Sequence, residues 1–544
     1  MINKIYATLV TATLLFSVAQ QANSQSLPVG TTALEDYYRR KQLLGELDSS
    51  VTFSVRPLFP RYAFKVNNVF DPDSTLNNDG YLKTSGPVRF GKGKGELQIL
   101  PLSWQQQFNS RNPYGWNDGA MIPARGYQTM VSAGVFLKYG PLSIQLRPEF
   151  VYAQNRAFQG FETNRSIDEL NNYAVFYNMI DNPERFGDGS YSKVNWGQSS
   201  IRLTFGPVSF GLSNENLWWG PGVQNALIMT NNAAGFKHLT LNTVKPIRTP
   251  IGSFEAQIIA GKLENSGFSP LSQTSSSSGA TLFSPYNSDW RYLAGLNISY
   301  QPKWVPGLSL GFIRDFMSYQ SDVNSFKDYF PFFFPVQKAT TGAQGDPYDR
   351  DQRISMYARW LFQKAKAEVY FEYGLNDNSY NYRDFLGSPD HSRSYIFGFT
   401  KLVPLAHQKD EYIQINAEID QLSQSVDRLV RPAGGFYQHS GVRQGYTNLG
   451  QVIGAGTGSG GNLQSLDVAW VKGLKKFGLN FQRYEHNADF YNDYIRDLNG
   501  QSRRWVDFAL AAKGEWNYKN LIFSAKIQGI KSLNYEWILK RLYG

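Results

Sequence analysis

Glu215, Asn216, Trp218 and Trp219 fall within one short stretch of the chain. Flat aromatic faces stack on the C–H faces of pyranose rings, and amides and carboxylates satisfy sugar hydroxyls, so this combination can recognise carbohydrate. The same residues admit a structural role. Gly220-Pro221-Gly222 follows as a sharp turn, and tryptophans beside it can pack a plug or a barrel wall. Asn231 and Asn232 extend the amide set downstream. A second group, Arg393, Arg431 and Arg443 with Tyr437 and His439, lies on irregular, glycine-containing stretches. Their cations can meet carboxylates of an acidic polymer, each contact contributing about 1 kcal/mol or less where solvent reaches it. The alternative is an ordinary solvated loop.

Catalytic chemistry has little to stand on. The five histidines, His238, His391, His407, His439 and His486, form neither HExxH nor a ligand pair at helical spacing, so no metal site is expected. His439 precedes Ser440, but sequence neighbours are not a triad, and there is no GxSxG elbow. Residues 376–384 (NDNSYNYRD) bring Asp377, Asn378 and Asp384 together without the twelve-position calcium-loop pattern. The expectation is a protein with no catalytic residues, no metal and no cofactor.

The elements that must position these residues read as strands. Val131, Ala133, Val135, Leu137 and Tyr139 share one face, Gly140-Pro141 turns the chain, and Leu142, Ile144, Leu146, Phe150 and Tyr152 share a face of the return strand. The unit recurs across Gly206-Pro207, where Ile201, Leu203 and Phe205 alternate with Arg202 and Thr204. It recurs again over 367–373, 413–420 and 521–528. The polar files between the apolar ones, including Arg147, Arg202, Arg359 and Lys366, would face the lumen of a barrel or the solvent side of a sandwich.

Composition favours the barrel. Aromatic residues make up 15% and charged residues 18%, yet mean hydropathy is −0.40. No segment after the N-terminus approaches the ~18 apolar residues of a spanning helix. A membrane barrel reconciles these facts, because each strand is only half apolar and aromatic girdles line both interfaces. The fold class expected is therefore all-β and membrane-embedded: one large antiparallel outer-membrane barrel of about 16–18 strands, with a short periplasmic N-terminal helix and a helical or loop plug.

Residues 1–24 carry Lys4, an apolar run from Ile5 to Ala19 and the small-x-small site Ala22-Asn23-Ser24, which predicts a signal peptide cleaved near Ser24/Gln25. With no cysteine there is neither a lipobox nor a disulfide framework. The net charge of +10 on an exported chain points to anionic glycan or lipopolysaccharide phosphate rather than nucleic acid. Residues 25–50 are expected as a periplasmic helical segment, with a helix over Thr32 to Leu47, and 51–544 as the barrel. A second helix over 166–179, capped by Ser166, belongs at a rim or in the lumen. Long segments at 269–278, 320–351 and 431–462 are expected outside the cell.

Residues 214–238 read NENLWWGPGVQNALIMTNNAAGFKH and resemble the Wzi family of capsule assembly proteins. Segments 34–45, 178–189, 372–399 and 445–462 are similar to the branch of that family with an N-terminal helix. The resemblance implies an outer-membrane barrel of roughly eighteen strands with a periplasmic helical element. It also implies a non-catalytic, lectin-like role, anchoring capsular or other surface polysaccharide at the cell surface. The partners expected are that polysaccharide, outer-membrane lipid and lipopolysaccharide, without nucleic acid, and the chain is expected as a monomer. The alternative is a porin or oligosaccharide channel.

Overall fold

The period-2 segments close on themselves. The computed structural model describes residues 25–66, 87–162, 165–270, 274–275, 279, 281–334, 350–376, 386–387, 389–406, 408, 410–425, 435–495, 502–518 and 521–539. Twenty-one of its strands form one closed antiparallel barrel. Three staves are each interrupted into two short strands: Leu142–Leu146 with Glu149–Ala153, Tyr191–Asn195 with Ser200–Phe205, and His238–Thr243 with Ile247–Thr249. The described wall therefore has eighteen staves, at the top of the expected range.

The wall is inverted relative to a water-soluble protein. Along Ala367–Asn376, Glu368, Tyr370 and Glu372 are 0, 1 and 0% exposed, whereas Val369 and Phe371 are 38 and 42% exposed. Apolar side chains point outward and carboxylates inward, as a wall facing hydrocarbon requires. Closure leaves few backbone edges to satisfy, which is what permits strands to cross a membrane. Among the described residues no helix is long and apolar enough to cross one. Lys366, read from sequence as part of the inward file, instead occupies a tight turn in the left-handed region, with φ +50°.

Short turns such as Gly140-Pro141, Gly206-Pro207 and Gly473-Leu474 gather at one end, and the long connections at the other. A helix lies at each end. Thr32–Leu43 lies across the short-turn mouth, where Leu43 packs on Leu361, Leu402 and Val471 of the wall. Its other apolar residues, Leu34, Tyr37 and Tyr38, pack on Phe53, Leu58 and Phe64. The helix stops short of Leu47 because Gly45 turns left-handed, with φ +80°. Glu35 in the first turn and Arg40 and Lys41 in the last complement its dipole.

The N-terminal element continues past residue 50 inside the lumen. Val55–Arg56 pairs there with Trp218–Trp219, and Pro60–Ala63 forms one further helical turn. At the long-loop mouth Ile167–Tyr177 is helical, and Ser166 Oγ accepts the Glu169 N–H at 3.2 Å. Leu170, Tyr173, Ala174 and Tyr177 face a core shared with Phe161, Phe490 and Trp537.

Candidate functional site

The segment from Asn214 to Phe236 leaves the wall and fills the lumen, and its motif is explained by what grips it. Residues 220–226 wrap the carboxylate of Glu418 on the wall, which accepts the N–H groups of Val223 at 2.7 Å, Gln224 at 3.0 Å and Asn225 at 2.8 Å, and the Tyr370 hydroxyl at 2.7 Å. Successive N–H groups converging on one anion form a nest. Two glycines make it possible. A Cβ on Gly222 would lie 1.8 Å from the Asn225 carbonyl oxygen. Gly220 has φ +133° and a Cβ there would lie 2.6 Å from Glu372 Oε2. Glu372 itself accepts the Leu227 N–H at 3.2 Å and the Ser355 hydroxyl at 2.7 Å.

Trp219 is fully buried, donates from Nε1 to Gln257 Oε1 at 2.8 Å, and occupies space left open by Gly295. Trp218 is buried beneath the Arg56 guanidinium, 4.4 Å from the ring centroid. Glu215 is paired with Arg202 at 2.6 Å, accepts the Ser213 hydroxyl at 2.9 Å, and is also bonded by Ser26. Burial pushes its carboxyl upward, but Arg202 and the hydroxyl donors outweigh that and hold it below the usual carboxylate range. Asn216 donates to the Ala233 carbonyl at 2.7 Å. Asn231 donates to the Asn117 carbonyl and Asn232 to the Val452 carbonyl, both at 2.9 Å. The six motif residues are thus brought together inside the plug; the amides, the Glu215 carboxylate and the Trp219 indole meet protein partners, whereas Trp218 Nε1 is buried without one among the described residues.

The loop candidates separate. Tyr437 is fully buried, not on an exposed loop: its hydroxyl donates to the Leu227 carbonyl at 2.6 Å and accepts the Ala455 N–H at 2.7 Å. The described part of the glycine-rich 431–462 stretch folds inward with it, because Tyr446, Val442, Val452 and Ile453 complete the lumenal core. Arg443 is partly buried and ties the end of the outer helix to its neighbours, reaching Asn178 O at 3.0 Å and Ser284 O at 2.8 Å. Arg393 stands at the outer end of Arg393–Pro404 with its guanidinium 5.3 Å from the Tyr395 ring centroid. Arg431, His407, Asp377, Asn378 and Asp384 lie outside the described residues.

Sequence reading missed the wall carboxylates that hold the plug. Arg39 Nε reaches Glu368 at 2.6 Å, Arg359 reaches the other oxygen of Glu368 at 2.5 Å, and Thr52 N–H reaches Glu255 at 2.7 Å. Their signal was the polar file itself, which the alternation exposed without naming partners. Among the described residues no cluster of three potential ligands could hold a metal.

An open groove of about 520 Å³ lies at the long-loop end. It is lined by Phe186, Tyr191, Ser192, Lys193, Ser266 and Phe268. Phe186 packs edge-on against Tyr191 and Phe268, each at 5.7 Å between centroids. Asn155 Nδ2 fixes the rim by donating to the carbonyls of Phe186, Gly187 and Gly189, each at 2.9 Å. No sequence candidate fell here, since Phe186, Tyr191 and Phe268 come from separate stretches that share no local pattern.

Among solved structures, the chain is similar to Wzi of Escherichia coli, described as an outer-membrane protein involved in group 1 capsule assembly and a carbohydrate-binding β-barrel. The TM-score is 0.57 at 12% identity, covering 94% of this chain and 96% of that one. It also matches OccAB2 of Acinetobacter baumannii, with TM-score 0.37 and 10% identity over 75% of this chain and 86% of that one. OccK8 of Pseudomonas aeruginosa matches with TM-score 0.36 and 9% identity over 81% and 94%. No curated protein sequence matches this chain. The model of the capsule assembly protein Wzi family matches residues 116–528, and the chain belongs to that family.

Proposed function

We propose that this protein is a non-catalytic outer-membrane anchor that binds capsular or related surface polysaccharide and holds it on the cell. It is exported by the N-terminal signal peptide and acts as a monomer in contact with outer-membrane lipid and lipopolysaccharide. On this reading the short-turn end faces the periplasm and the long-loop end faces outward. The observation that carries it is the closed lumen: a helix lies at each mouth, and the segment between them is tied to wall carboxylates at Glu255, Glu368, Glu372 and Glu418. A conduit for solute would need that space. The working surface is then the outer end, where hydroxyls, a cation and aromatic edges meet in the groove.

Glu215, Asn216, Trp218, Trp219, Asn231 and Asn232 act in this reading as the scaffold that shapes the outer surface from below. Arg393 and Arg443 border that surface. The test is the partition of polymer between cells and medium in a deletion strain. Polymer should be released into the medium; a deletion strain that keeps its full complement of cell-bound polymer would refute the reading.

A further inference from the structure

The groove at the long-loop end also opens sideways. Tyr191–Asn195 pairs with Glu149–Ala153 along one edge only. The next stave, Val208–Ser213, ends at Ser213, opposite Ser200, and the chain then turns into the lumen. The upper part of the wall is therefore notched, with Tyr191–Asn195 as a free edge among the described residues. Ser192 and Lys193 both line the groove. Adjacent residues of a strand point to opposite faces. The groove therefore runs along this edge, where the lumenal and membrane faces of the strand meet.

The chemistry along this path is graded. Along the groove stand the aromatic edges of Tyr191 and Phe268, the hydroxyl of Ser190, and Lys193, which has no ion pair among the described residues; the Ser266 hydroxyl is taken up by Asp181 at 2.6 Å. On the edge itself are alternate backbone N–H and C=O groups that no strand satisfies, and such groups are not left bare against hydrocarbon. Immediately below, on the membrane face, Val194 and Trp196 are 72 and 58% exposed. A sugar satisfies the first two zones and an acyl chain the third.

We infer that the notch is a binding site for a lipid-borne acidic saccharide of the outer leaflet. The sugar lies over the Tyr191–Asn195 edge against Tyr191 and Phe268, an anionic group meets Lys193, and the lipid packs on Val194 and Trp196. This rests on the polysaccharide-anchoring reading and narrows it: the protein grips its glycan next to the membrane, where the glycan is attached to lipid, rather than along the free polymer.

The full-length protein in phosphatidylcholine nanodiscs is titrated with rough lipopolysaccharide and, separately, with the same material after complete deacylation. The lipid-borne form is expected to bind at least tenfold more tightly. Lys193→Gln should weaken it about tenfold and leave the remaining binding less sensitive to ionic strength than in the parent. Gly189→Phe fills the groove where a side chain meets nothing within 4 Å, so it should block binding with the fold intact. Thermal stability and heat-modifiable migration of each variant report folding. Equal affinity for both forms, or binding unchanged by folded Gly189→Phe, overturns the inference. The anchoring reading is judged apart from this, by polymer release in the deletion strain: release there, with normal retention in the Gly189→Phe strain, removes the notch and leaves the anchor.

Discussion

Arg202 Nη2 lies 2.6 Å from Glu215 Oε2, and both side chains are 1% exposed. The pair joins the wall to the first turn of the lumenal segment, and Arg202 Nη1 completes the link by donating to Asn242 Oδ1 at 2.8 Å. Removing one member of such a buried pair leaves an uncompensated charge in the lumen, at a cost of about 3–5 kcal/mol. Glu215→Ala should therefore lower the unfolding temperature sharply or prevent assembly, whereas Arg202→Met with Glu215→Leu should recover much of the loss. Heat-modifiable migration and calorimetry distinguish these outcomes. A Glu215→Ala protein as stable as the parent would show that the pair does not hold the plug.

Trp219 supplies the apolar counterpart. It stands against Gly295 and its indole N–H is matched to Gln257. Trp219→Ala should cost about 3–5 kcal/mol through the cavity it leaves. Trp219→Phe keeps most of the volume and should lose only about 1–3 kcal/mol, the penalty of stranding Gln257. Chemical unfolding of both variants checks the order. If both instead unfold like the parent and only polymer retention falls, Trp219 contacts glycan directly.

How much of this was legible follows from which contacts are local. The strands announced themselves because Glu368, Tyr370 and Glu372 alternate with Val369 and Phe371 within a few residues. Ser166 announced its helix for the same reason. The partners of those inward residues did not, since Glu418 meets Val223 and Glu368 meets Arg39 only after the barrel closes. Tyr437 misled because glycine density reads as an exposed loop, while here the glycines permit close packing: a Cβ on Gly454 would lie 2.4 Å from the Tyr437 hydroxyl. Tyr191 and Phe268 were invisible for want of any shared periodicity.

Asp36 on the N-terminal helix sets an acid limit. Burial alone would raise its carboxyl, but Lys476 at 3.6 Å and Arg40 at 2.9 Å outweigh that and lower it to about 2 from an ordinary 3.8. The folded value is depressed, so this stabilisation is fully present above about pH 4 and is lost as pH falls toward 2, on the order of 2 kcal/mol. Asp36→Asn should abolish that part of the acid dependence. Protease accessibility of the N-terminal helix between pH 2 and 5 measures it, and an unchanged profile would show that Asp36 does not set the acid limit.

Glu184 gives the outer lid the opposite response. It accepts the Phe161 N–H at 3.3 Å and is bonded by the Tyr173 hydroxyl, and burial, partly offset by those bonds, raises its carboxyl to about 7 from 4.5. An acid whose folded value is raised binds its proton more tightly when folded. Lid stability should then decline as pH rises from about 4.5 to 7, by about 3 kcal/mol if the lid opens as a unit. Glu184→Gln keeps the acceptor and removes the charge, so the lid should stay closed across that window. Hydrogen exchange over Ile167–Tyr177 at pH 5 and 8 is the measurement, corrected for intrinsic exchange rates. Equal protection at both values in the parent would mean that Glu184 does not govern the lid.

Conductance tests the closed lumen directly. Arg39 bonds both Glu368 at 2.6 Å and the Pro221 carbonyl at 2.8 Å, so one side chain joins the N-terminal helix, the wall and the lumenal segment. Arg39→Ala leaves Glu368 with Arg359 still paired, which keeps the wall neutralised while freeing the helix. The parent protein in planar bilayers should show no steady current. Arg39→Ala combined with Arg56→Ala, which also breaks the 2.7 Å pair to Glu35, should give intermittent openings as the short-turn plug swings away. Openings are expected to be brief, because the nest around Glu418 still holds residues 223–225 across the lumen. Adding Glu418→Ala removes that acceptor and should lengthen them. Steady conductance in the parent would restore the channel reading, and silence in the triple variant would show that the outer lid alone seals the barrel.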